Sequence, residues 1–175
     1  MMALSQETHS ETARSGVELD ALISIPVRDH LRNKFPNLSD DDFGCVLKEF
    51  LKFLALSGAR GGESRIPVSK TIDLLWHECI LQTRFYRELC LSLAGKFIDH
   101  GAVIAAESAG SKDKSCEDSA EDDFSWMVSY VTNFGPFTEA AAIHWSVVGD
   151  ATRINGWSLE KLNEILLISE RFYIN

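Results

Sequence analysis

The sequence predicts an all-α fold, an irregular bundle of five to seven helices around a central helix at about 70–94. Three observations carry this. Apolar residues recur at i, i+3, i+4 and i+7 in several stretches. No alternating apolar–polar pattern persists long enough for a strand. Serines stand just ahead of the periodic runs, where a side-chain oxygen can accept from the free N–H groups of a first helical turn.

The elements follow in order. Residues 1–16, rich in Ser, Thr and Glu, read as a disordered lead-in, and residues 17–175 as one helical domain. A chain of 175 residues with 45% hydrophobic content can fill one core. Pro26 suits the first turn of a helix over about 26–34. Ser39 caps the next, and Asp40, Asp41 and Asp42 complement its dipole. Phe43, Val46, Leu47, Phe50, Leu51 and Leu54 give that helix an apolar stripe, which stops near Gly58. "GARGGESRIPVS" lacks the spacing of a phosphate-binding loop and follows no strand, so it reads as a connector.

Ser69 caps a helix that runs to about Ala94 and ends at Gly95. Residues 105–123 carry seven acids against two bases without apolar periodicity, and read as an acidic mobile insertion. Phe124, Met127, Val128, Val131 and Phe134 resume helical spacing until Gly135 and Pro136. "TEAAAIHWSVVG" suggests another helix and "DATRING" a turn. Ser158 caps a closing helix in which Leu159, Leu162, Ile165, Leu166 and Ser169 share a face.

Charge and cysteine usage narrow the function classes. The net charge is −9, and no basic cluster exists to neutralise phosphates, so direct nucleic-acid binding is not expected. More than half of the acidic excess lies in 105–123, which leaves an acidic antagonist of a nucleic-acid-binding protein as a minor reading. No apolar run is long enough to span a membrane. The N-terminus shows no secretory pattern, and four cysteines without a CxxC imply reduced thiols, hence a cytoplasmic location.

The stretch "IDLLWHECILQTRFYRELC" concentrates the chemistry. On one straight helix, Ile72, Trp76, Cys79, Thr83, Tyr86, Cys90 and Leu93 share a stripe. Leu74, His77, Leu81, Arg84, Phe85 and Glu88 fall opposite, so the helix should be packed on two sides in the middle of the bundle. Cys79 and Cys90 would be about 16 Å apart along the axis and could not share a zinc. His77 has Leu81 at i+4, where a second helical ligand would belong. Asp73 and Glu78 face different ways and make no acid pair.

No metal cofactor is therefore expected. Zinc or iron would need His77 or a cysteine to meet His30, His100 or His144; the candidate ligands are His77, Cys79, Cys90 and His100. Nucleophilic catalysis is disfavoured, because Cys79 and Cys90 lie in apolar surroundings and Cys116 among acids. The simpler expectation is a buried polar constellation of His77, Thr83, Tyr86, Cys90 and His100. In it Thr83 bonds back to the Cys79 carbonyl and His77 joins two helices through both ring nitrogens.

This stretch, with "GKFIDH" after it, resembles the segment V-D-x-x-W-H-x-H-I-L-x-T-x-x-Y-x-x-F-C of the glycine-rich-domain-containing-protein-like family. Asp73, Trp76, His77, Ile80, Leu81, Thr83, Tyr86 and Cys90 match, His100 matches a closing histidine, and Tyr130, Phe134 and Gly135 of "SYVTNFG" match a later element. The resemblance covers about 66–135. Cys79 stands where the pattern has its second histidine, and the acidic insertion interrupts the usual run. The resemblance implies a helical domain without an established activity.

The sequence thus points to a non-enzymatic interaction or regulatory domain with a protein partner. The alternative is a metal- or thiol-dependent enzyme centred on His77, Cys90 and His100.

Overall fold

The computed structural model describes residues 19, 21–59, 66–100 and 116–173. The described residues form eight helices and no strand, so the all-α class holds with one helix more than expected. They are α1 (Ile25–Asn33), α2 (Asp40–Ala59), α3 (Lys70–Leu81), α4 (Thr83–Ala94), α5 (Cys116–Phe134), α6 (Glu139–Ala142), α7 (Ser146–Asn155) and α8 (Leu159–Tyr173). No helix among the described residues is long and apolar enough to cross a membrane.

The expected caps are in place. Ser39 Oγ accepts from Asp42 N at 3.1 Å, Ser69 accepts from Ile72 N, and Ser158 Oγ accepts from Lys161 N at 3.1 Å. Arg32 staples the α1–α2 link: its guanidinium pairs with Asp40 at 2.7 Å and donates to the carbonyls of Phe35 and Leu38.

The centre of the bundle is α2 rather than the 70–94 stretch. It packs against α3, α4, α5 and α6, and Phe43, Val46, Leu47, Phe50, Leu51, Phe53, Leu54 and Leu56 are all buried. Two charged residues of α2 are buried with them. Lys52 Nζ donates to Glu49 Oε1 at 2.7 Å and to Tyr130 Oη at 2.6 Å, while Trp145 Nε1 donates to Glu49 Oε2 at 3.0 Å. Removing either charge would strand the other, so this pair fixes α2 relative to α5 and the α6–α7 link. Phe53 extends the same core through ring contacts with Trp76, Trp126 and Trp145.

The 70–94 stretch is two helices. Gln82, at φ −90° and ψ 61°, ends α3 and precedes α4. The two-sided packing expected for a straight helix does not occur: Leu74, His77, Leu81, Arg84 and Glu88 are exposed. Neither Gly nor Pro stands at this junction.

Two other expectations are corrected. Residues 116–123 of the supposed mobile insertion belong to α5; acids near a helix N-terminus are favoured by its dipole, whatever their composition suggests in isolation. The rest of that insertion, residues 105–115, and the lead-in 1–16 lie outside the described residues. "DATRING" is mostly the second half of α7, which ends only where Gly156 adopts φ +66°.

Gly58 sets the separation of α2 and α4. A Cβ there would meet Ala94 Cα at 2.6 Å, a backbone atom that cannot rotate away. Gly58→Ala should cost about 1–3 kcal/mol of unfolding free energy by overpacking, read from a lowered urea midpoint at unchanged slope.

Candidate metal centre

The chemistry gathers where α3 meets the segment after α4. Asp73 and His77 are four residues apart on α3, so they stand one above the other on a single helical face. His100 reaches them from the chain beyond α4. Gly95, at φ +67°, ends α4 in the left-handed conformation and turns the chain back.

A hydrogen-bonded chain directs the return. Trp76 Nε1 donates to Tyr86 Oη at 2.7 Å, and Tyr86 Oη donates to the Ile98 carbonyl at 2.6 Å. Phe97 meets the edge of Tyr86, with centroids 5.3 Å apart. Two residues beyond Ile98, the His100 ring packs against Trp76 at 4.3 Å and His77 at 4.4 Å between centroids. Burial pushes the Tyr86 pKa up, so its hydroxyl keeps the proton that Ile98 accepts.

The resulting cluster is Asp73, His77 and His100, each offering one ligand atom within 4.8 Å of the others. His100 Nε2 lies 2.9 Å from Asp73 Oδ1. His77 Nδ1 lies 2.7 Å from the Asp73 carbonyl oxygen and 3.7 Å from Oδ2 of the same residue. A carbonyl only accepts, so Nδ1 carries the proton and the free lone pair of His77 is on Nε2. A backbone carbonyl that holds one ring nitrogen is a common partner of a metal-ligating histidine. The His77 side chain is 53% exposed, Asp73 33% and His100 16%.

This differs from the expected constellation. Tyr86 and Cys90 are buried and His100 is partly buried, but His77 and Thr83 are exposed. His77 does not bridge two helices as a core residue. Thr83 opens α4, and it is the backbone N–H of Gln82 that meets the Cys79 carbonyl.

Neither thiol joins the cluster. Cys79 is buried, and desolvation, followed by the charges of Glu78 and Cys90, raises its pKa to about 12. Cys90 is close enough to contribute because the break at Gln82 abolishes the straight-helix spacing. Such a thiol is a poor nucleophile and a poor metal ligand at neutral pH. His30 lies elsewhere, 3.4 Å from the Gln82 side-chain nitrogen, and His144 is buried with its pKa lowered by desolvation.

Asp73 is the residue sequence reasoning set aside. Its signal was the D-x-x-x-H spacing: the helical ligand that His77 lacks at i+4 is present at i−4.

A family model described as UCP032817-like matches residues 21–119, more than half of the chain. The chain belongs to the UCP032817-like family. The matched span takes in Asp73, His77, Tyr86 and His100, and so both elements that build the cluster of this UCP032817-like chain. No curated protein and no solved structure matches the chain.

Tyr86→Phe would leave the Trp76 N–H and the Ile98 carbonyl without their shared partner. It should lower stability by about 1–3 kcal/mol in denaturant unfolding.

Proposed function

We propose that the chain is a helical metal-binding domain that holds one divalent first-row transition ion, zinc or iron, between Asp73, His77 and His100. The observation that carries this reading is the convergence of two imidazoles and a carboxylate within 4.8 Å. Donors on one ion stand roughly 3.0–3.5 Å apart at bond lengths of about 2.1 Å. The 2.9 Å between His100 and Asp73 is just short of that range, and the half-exposed His77 side chain has room to adjust.

Two histidines and one carboxylate suit zinc or iron better than calcium or magnesium, which prefer oxygen donors throughout. A hydrogen bond between His100 and Asp73 already holds two of the three donors together. A bound ion would take the place of the proton shared by His100 and Asp73. Tyr86 and Trp76 hold His100 from behind, as outer residues orient metal ligands.

The interaction reading leaned on an acidic loop, whose residues 116–123 are helical and whose remainder lies outside the described residues. The metal reading draws on three residues whose ligand atoms lie within 4.8 Å of one another. It departs from the expectation of no cofactor and keeps His77 and His100 of the enzyme alternative, with Asp73 in place of Cys90.

Purified protein loaded with zinc and desalted should retain one equivalent by elemental analysis. Asp73→Ala and His77→Ala should lose it. At a free zinc concentration one hundred times the dissociation constant, the wild type should gain about 2.7 kcal/mol of stability. Because His77 is exposed, His77→Ala should shift metal-free stability by no more than about 0.5 kcal/mol. Retention of no metal by the wild type would reduce the cluster to a hydrogen-bonded clasp between His100 and α3.

A further inference from the structure

The metal reading leaves open whether the ion would be a closed structural centre or one that exchanges ligands. We infer that it keeps an exchangeable coordination position on its solvent side and takes small oxyanions there, carboxylate or phosphate, in place of bound water. This rests on the metal-binding reading of the same three residues.

The first argument is the donor count. A structural zinc is closed by four protein ligands, whereas a centre with three keeps a position for water or substrate. Among the described residues, no fourth histidine, cysteine or carboxylate groups with Asp73, His77 and His100.

The second is the placement of the donors. The inner side is closed by Trp76, whose buried ring packs against His100 at 4.3 Å. The outer side is bounded by His77, 53% exposed, and Asp73, 33% exposed. An ion drawn to all three therefore faces protein on one side and water on the other.

The third is charge. A dication with one carboxylate and two neutral imidazoles keeps a formal charge of about +1. Glu78, the next carboxylate on α3, is engaged by Lys34 at 3.4 Å. A net positive ion at an accessible surface position attracts an oxyanion, and the exchange balances simply. One metal–water bond breaks, one metal–oxygen bond to the anion forms, and no electron is transferred.

Cobalt(II) reports both loading and exchange through its visible absorption. The full chain loaded with one equivalent of cobalt should develop ligand-field bands that His77→Ala protein lacks. Titration with acetate, and separately with inorganic phosphate, should then shift those bands saturably, and the two anions should compete. A response to either anion supports the inference, and the better competitor identifies the preferred oxyanion. Cobalt bands that depend on His77 yet ignore both anions would overturn it while leaving the metal site standing. If cobalt does not bind, the metal reading fails and this inference with it.

Discussion

The hydroxyl of Tyr86 is the constraint on which the candidate site depends. It accepts from Trp76 on α3 and donates to Ile98 beyond α4, and so ties the end of one helix hairpin back to its beginning. That tie anchors the backbone between Gly95 and His100 at Ile98. With it, an imidazole from a connecting segment is delivered to a carboxylate on α3. The tie is durable because the Tyr86 side chain is buried, and burial makes its ionisation harder.

The tie in turn needs a rigid platform. Trp76 is held by Phe53 of α2, with ring centroids 5.0 Å apart at 68°. Phe53 lies on the same helix as the Glu49–Lys52 pair, and that pair links α2 to Tyr130 and Trp145. Core packing, the buried ion pair and the surface cluster therefore form one connected arrangement. Precision at the surface is inherited from order in the core, as a preorganised site requires.

Much of the fold was legible in the sequence because its signals are local. Ser39, Ser69 and Ser158 each accept from a backbone N–H three residues on, and the stripe from Phe43 to Leu54 is buried as its spacing predicts. The break at Gln82 was not legible, since no Gly or Pro marks it. That one error misplaced His77, moved Cys79 and Cys90 apart, and made α3–α4 appear central. The acidic start of α5 was misread because composition reports solvation, not the favourable position of acids at a helix N-terminus. At the site, the pairing of Asp73 with His77 was readable from its four-residue spacing. The arrival of His100 was not, because it depends on a tertiary hydrogen bond across twelve residues.

The account's central claim is that Asp73, His77 and His100 share an ion. Anomalous diffraction from zinc-soaked crystals at the zinc absorption edge tests it most directly. The account predicts one strong peak within about 2.0–2.2 Å of a nitrogen of each histidine and an oxygen of Asp73. A peak on the Cys79 and Cys90 sulfurs, or none between the two imidazoles and the carboxylate, would contradict it.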